Sequence, residues 1–226
     1  MTAAEGPLVI VGDSLFAEIA HEYFEHDSDY DVVAFSVEEE YLRRTEFRGL
    51  PVIPFERLED ELDPRNTSVH AALTYGRLNR VRTRLVDAAA AKGFRLASYV
   101  SSRAFLWRNV ELGEHCFIFE DNTVQPFVRI GRNCVLWSGN HVGHHSTIGD
   151  NVFVASHAVI SGSVRIGDNC FVGVNATLVN DIEIGADSWI GPDVVVTRDV
   201  GPDTVWQPAR SNRRDLSARR LFGAEP

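Results

Sequence analysis

Every sixth residue from Leu106 to Val196 is aliphatic. The series runs Leu106, Leu112, Ile118, Val124, Ile130, Leu136, Val142, Ile148, Val154, Ile160, Ile166, Val172, Leu178, Ile184, Ile190 and Val196, without a slip. Two positions before each stands a small or branched residue, such as Asn122, Cys134, Ser146, Ala158 or Cys170. Glycine follows the aliphatic at 113, 131, 143, 149, 167, 173, 185 and 191. A fixed period of this kind marks a repeat architecture. One bulky and one small inward side chain per hexad describe short parallel strands turning the corners of a triangular coil. Three hexads make a coil of 18 residues, and the series fills about five coils. Glycine at a corner is expected to supply backbone conformations that other residues resist.

Residues 1–100 alternate differently. Leu8–Val11 is an apolar run bounded by Gly12-Asp13-Ser14, which reads as a strand, a turn and the N-cap of a helix over Leu15–Phe24. Tyr30–Phe35 and Ser68–Leu73 predict two more strands, with a short extended piece at 49–54. The pattern predicts a helix over Arg77–Lys92, closed by Gly93, after which Arg95–Val100 leads into the repeats. Strands alternating with helices predict a small parallel α/β domain. The fold class is therefore an α/β N-terminal domain, Rossmann-like, followed by an all-β parallel helix. Its segments are 1–100, 101–200 and a C-terminal loop and basic tail over 201–226.

Composition narrows the partners. A formal charge of −10 lacks the basic face of a nucleic-acid binder, and only the stretch beyond residue 200 is net positive. No apolar run approaches the roughly 18 residues of a membrane span, and the start of the chain lacks a basic region and a long apolar core. The expectation is a cytoplasmic protein with no signal peptide. Cys116, Cys134 and Cys170 all fall at the small inward position and read as buried thiols without catalytic work.

Ligands of parallel α/β sheets bind at the carboxyl ends of strands, beside helix N-termini that favour phosphate. Gly12, Asp13 and Ser14 open such a site, although no complete G-x-G-x-x-G follows, and an ordinary capped turn explains them equally. Glu38, in the acidic run after the second strand, could accept hydrogen bonds from a base or ribose, or could simply be solvated.

A small α/β domain followed by hexapeptide repeats resembles the bacterial sugar O-/N-acyltransferases of the sialic acid O-acetyltransferase (NeuD/PglD-like) type, which belong to the left-handed β-helix superfamily. The most specific stretch is Trp137-Ser138-Gly139-Asn140-His141-Val142-Gly143-His144-His145-Ser146-Thr147-Ile148-Gly149-Asp150. The resemblance implies acetyl transfer from acetyl-CoA to an amino or hydroxyl group of a nucleotide-linked sugar. It also implies homotrimers with active sites between prisms and no metal. It assigns the general base to His144, where a neutral imidazole suits proton acceptance near pH 7. His145 stands where the family often has an acidic residue, and is the alternative base or the neighbour of the first. Gly162, one coil beyond His144, is the position of an oxyanion-stabilising amide. The resemblance further places the CoA near Gly162, Val174 and the loop Gln207-Pro208-Ala209-Arg210, with Arg210 and Arg213 suited to its 3′-phosphate. Asn79-Arg80-Val81-Arg82 resembles the family's Asn-x-x-Arg helix start and reads as structural.

The leading expectation is N-acetylation of a nucleotide-linked amino sugar, with O-acetylation of a hydroxyl as the rival, since both need one base and one oxyanion donor. A zinc hydratase on the same prism needs three converging histidines, and among the histidines read as outward (115, 141, 144, 145 and 157) no pair is 18 apart. A scaffold without catalysis would have no use for a nucleotide-sized cleft.

Overall fold

The computed structural model describes residues 6–209, 215 and 217–224. The N-terminal domain comprises β1 (Gly6–Val11), α1 (Leu15–Asp27), β2 (Tyr30–Val37), β3 (Glu46–Phe47), β4 (Leu50–Pro54), α2 (Leu58–Glu61), β5 (Ser68–Ala71), α3 (Arg80–Ala91) and β6 (Arg95–Leu96). Its sheet has the order β3-β4-β2-β1-β5-β6. All neighbours are parallel except β3 and β4, which form a small antiparallel hairpin at one edge, so the sheet is mixed where a parallel one was expected. Leu8 to Val11 are buried at the centre of the sheet.

The helix expected from Arg77 begins at Arg80. Arg77, Leu78 and Asn79 instead lie in the left-handed region, at φ 50°, 50° and 67°. That turn drives Asn79 into the prism, where its Nδ2 donates to the carbonyls of Asn169 and Cys170, each at 3.2 Å. Tertiary hydrogen bonding outweighs helix propensity there.

From Tyr99 to Trp206 the chain is a left-handed parallel β-helix of two-residue strands, stacked in three sheets of seven, six and five strands. Residues 18 apart pair in register, as in Phe117↔Val135 and Val135↔Phe153. The six-residue aliphatics and the small residues two before them fill one continuous core, which includes all three cysteines. Burial pushes the thiols of Cys134 and Cys170 up, the second to about 11.

The glycines have a different reason from the expected one. From Leu112 to Ile190 the left-handed corner residue stands three after the aliphatic and is almost never glycine: Asp121, Asn133, His145, Asn151, His157, Asn169 and Asp193 all have φ between 55° and 61°. Asparagine and aspartate tolerate this region through local hydrogen bonds. The glycine one after the aliphatic is required by stacking. A Cβ on Gly113 would lie 2.6 Å from the Arg132 nitrogen, and one on Gly173 2.5 Å from that of Pro192.

The three faces of the prism differ outwardly. The face carrying Phe117, Phe153 and Phe171 packs under the N-terminal domain, joined by Phe16, Tyr23, Phe24 and Tyr99 in one aromatic cluster. A second carries Glu111, Arg129, Arg165 and Glu183, with ion pairs at 3.1 and 3.6 Å. The third presents Phe105, Thr123, His141, Val159, Thr177 and Val195 and carries no carboxylate, lysine or arginine in its outward row.

Candidate active site

The strand His141–Val142 ends at a corner where Gly143 and His144 leave the face, His145 takes φ 60°, and Ser146 returns to the core. The next coil lies so close that a Cβ on Gly143 would meet the Gly162 nitrogen at 2.5 Å. One residue on, His144 is exposed and its imidazole covers Gly162. A Cβ at 162 would stand 2.8 Å from His144 Cε1 and 3.0 Å from Nε2. Among the described residues no protein acceptor meets the Gly162 N–H.

Three contacts hold the imidazole pair. The His144 backbone N–H donates to Gln125 Oε1 at 2.9 Å. His144 Nδ1 and His145 Nδ1 are 3.1 Å apart, with the rings nearly perpendicular at 84°. His145 stacks on Phe127, centroids 4.7 Å apart at 29°. The structure thus brings His144, His145 and Gly162 together. Gln125 and Phe127 escaped sequence reasoning, although counting one coil back from His145 lands on Phe127.

A second cluster lies at the carboxyl ends of β1 and β2. Gly12 adopts φ 121°, and a Cβ there would come within 3.1 Å of the Ala72 carbonyl oxygen, so glycine is required on two counts. Ser14 precedes α1 without a side-chain capping bond. Asp13 pairs with Arg44 at 3.3 Å. Glu38 is not solvated: both Arg84 guanidinium nitrogens donate to it, at 2.6 and 2.7 Å, and that hydrogen bonding holds its carboxyl below the usual range. Gly12, Asp13, Ser14, Glu38, Tyr41 and Leu73 line a cleft of about 300 Å³. Arg44, Tyr41 and Arg84 carried no sequence signal, because their approach depends on how the hairpin and α3 pack.

The remaining candidates scatter. Val174 is exposed, but it stacks in the corner column of Ser138, Ser156 and Pro192, a different edge of the prism from His144. Arg210 and Arg213 lie outside the described residues. His157 covers Gly139, whose absent Cβ would fall 2.5 Å from the His157 Cε1. The expectation that His115 points outward is wrong: it is 1% exposed. The N-terminal domain covers that corner, and His115 Nε2 accepts the Ala71 N–H at 2.8 Å. His115 lies flat on His70, centroids 4.4 Å apart, and its Nδ1 meets Asn133 Oδ1 at 3.0 Å. Among the described residues no group of three His, Cys, Asp or Glu has a metal-holding arrangement, and no helix is long and apolar enough to cross a membrane.

An exposed imidazole poised over a backbone N–H can take a proton from a nucleophile while the amide meets an oxyanion. Comparison with known proteins bears on the repeats and the fold. The bacterial transferase hexapeptide family (six repeats) matches residues 127–162, 145–180 and 163–198. A search of curated protein sequences finds no match. The chain is similar to the acetyltransferase domain of PglB from Neisseria gonorrhoeae FA1090, with a TM-score of 0.78 at 22% identity over 90% of this chain and 98% of that one. It is similar to PerB from Caulobacter crescentus, solved with CoA and GDP-perosamine, at 0.76 and 25% over 91% and 96%. WeeI from Acinetobacter baumannii AYE follows at 0.63 and 22% over 90% and 98%. The hexapeptide model thus matches residues 127–198, and over about nine-tenths of its length the chain has the fold of the PglB acetyltransferase domain and PerB.

Proposed function

We propose that the protein is an acetyl-CoA-dependent acyltransferase that N-acetylates the amino group of a nucleotide-linked amino sugar, with His144 as general base. The observation that carries this reading is the exposed His144 imidazole lying over Gly162, whose N–H has no acceptor among the described residues. The neutral substrate amine attacks the thioester carbonyl, and the new C–N bond forms as the amine proton passes to His144 Nε2. Gly162 N–H holds the oxyanion. Collapse breaks the C–S bond, and the imidazolium returns its proton to the departing CoA thiolate.

The nucleotide belongs in the cleft of the 1–100 domain. The Gly12-Asp13-Ser14 turn and the N-terminus of α1 receive its phosphates, and Glu38, braced by Arg84, receives its ribose or base. PerB, which shares the fold, was solved with CoA and a GDP-linked amino sugar, which supports this class of substrate. The 101–200 prism carries the chemistry, and the 201–226 segment supplies Arg210 and Arg213 to the CoA phosphate.

A homotrimer completes the site. One face of the prism is covered by the N-terminal domain and another is a ladder of ion pairs. The third, with Phe105, Val159 and Val195 at 53%, 40% and 59% exposure, is uncharged and leads directly to the His144 corner. Packing that face against a neighbouring copy sets the neighbour's Val174 edge against the CoA.

The test is CoA release from acetyl-CoA with UDP-, dTDP- and GDP-linked amino sugars. Turnover with one of them, reduced about a hundredfold or more in His144→Ala, is expected of a general base. Turnover unaffected by the substitution overturns the assignment of His144, and turnover only with sugar hydroxyls overturns N-acetylation.

A further inference from the structure

The Nδ1 atoms of two adjacent imidazoles, 3.1 Å apart, cannot both carry hydrogen and cannot both present a lone pair. One proton stands between them, and it fixes both tautomers at once. We infer that His145 is a positioning residue, a neutral acceptor that takes the Nδ1–H of His144 and so leaves the His144 Nε2 lone pair free above Gly162. The inference rests on the acyl-transfer reading, which requires that lone pair.

The surroundings decide the direction of the proton. The His144 ring lies over Gly162, with Cε1, Nε2 and Nδ1 at 2.8, 3.0 and 3.2 Å from a Cβ built there, and Nε2 is the ring nitrogen that does not face His145. With the proton on its Nδ1, that ring presents a lone pair to an incoming amine. The reverse arrangement would put an N–H at His144 Nε2 and leave that nitrogen with no lone pair to take an amine proton. His145 is itself locked, its ring stacked on Phe127 and its left-handed backbone pinned by an N–H bond to the Pro126 carbonyl at 3.1 Å. Among the described residues, the side chains that bond or stack on the two histidines are Gln125, through the His144 backbone N–H, and Phe127, and neither titrates.

A neutral orienting partner has consequences that a carboxylate would not. Protonated His145 has no lone pair at Nδ1, so a proton on either ring removes the base. An imidazole partner also adds no negative charge to hold a proton on His144.

Two measurements test this. Nitrogen-15 spectra of the full chain, free of substrate and above the titration of both rings, are expected to show the Nδ1–H tautomer for His144 and the Nε2–H tautomer for His145. The opposite pair overturns the inference whether or not the protein turns over. Kinetically, Asn at 145 suits the left-handed φ, and its Oδ1 overlays the imidazole Nδ1. His145→Asn is expected to keep kcat within about threefold, whereas His145→Ala loses about ten- to a hundredfold with the KM for acetyl-CoA unchanged. His145→Asp moves the acid limb of kcat/KM upward by about one pH unit, because a carboxylate stabilises the imidazolium. A purely structural role would leave that limb in place. Equal activity of the Ala and Asn variants, with the limb unmoved in Asp, overturns the role of His145.

Discussion

Arg82 Nε donates to Asn133 Oδ1 at 2.9 Å, joining α3 to a prism corner 51 residues away, and neither residue is exposed. The guanidinium also donates to the carbonyls of Asn133, Asn151 and Thr74 at 3.1 to 3.2 Å. Among the described residues no carboxylate pairs with it. Burial lowers its pKa to about 10, which still leaves it charged at neutral pH.

Arg82→Met should therefore strand several buried carbonyls and loosen the N-terminal domain from the prism. The expected cost is about 3 kcal/mol, from leaving buried acceptors without their donor. Urea unfolding checks the magnitude. Faster proteolysis between residues 91 and 99 than in the wild type would show the junction opening.

Gly162 and Gly143 give opposite expectations for the same substitution. A Cβ on Gly143 meets backbone of the next coil at 2.5 Å, so Gly143→Ala should lower the melting temperature. A Cβ on Gly162 meets only the His144 ring, at 2.8 Å. Gly162→Ala should melt close to the wild type yet lose about a hundredfold in kcat, since the imidazole must swing away. Melting curves and turnover of the two variants, measured side by side, decide this.

The stacked His70–His115 pair should make the fold acid-sensitive. Desolvation pushes His70 down to about 4 and His115 well below its ordinary value. Between pH 6.5 and 4 the unfolded chain binds protons that the native chain refuses. Stability is complete above pH 6.5 and falls as pH drops toward 4. The His70 share is roughly 3 kcal/mol across that window. Urea midpoints at pH 7 and pH 5 should differ, and His70→Phe should reduce the difference.

Buried thiols should be silent. Native protein is expected to give no reaction with a thiol reagent at pH 7.5, and three equivalents in denaturant, because Cys116, Cys134 and Cys170 are all enclosed in the prism core. Fast labelling of the native protein would contradict that burial.

The prism was legible because its signal is local and repeated. An aliphatic every six residues leaves one way to bury them, and the positions from Leu106 to Val196 each close a strand. The second periodic signal, Asp or Asn three residues after the aliphatic, was equally available at Asp121, Asn133, Asn151 and Asn169. It names the corner that the glycines were thought to mark. The His144–Gly162 stack followed from counting 18 residues. The fate of His115, the Arg84 brace on Glu38 and the left-handed turn at 77–79 did not. The first and last depend on how one domain lies on the other, and the brace on how α3 packs beside β2 within the N-terminal domain, none of which a spacing encodes.

The in-register stacking of identical coils has a last consequence. Position along the prism axis is quantised: a change of length that preserves the inward pattern must come in whole turns. Each turn carries a full set of outward side chains past the N-terminal domain by one strand spacing, about 4.8 Å. The separation between the aromatic seat of that domain and the His144 corner is thus set by a count of turns, as on a vernier, and cannot be tuned by stretching a loop.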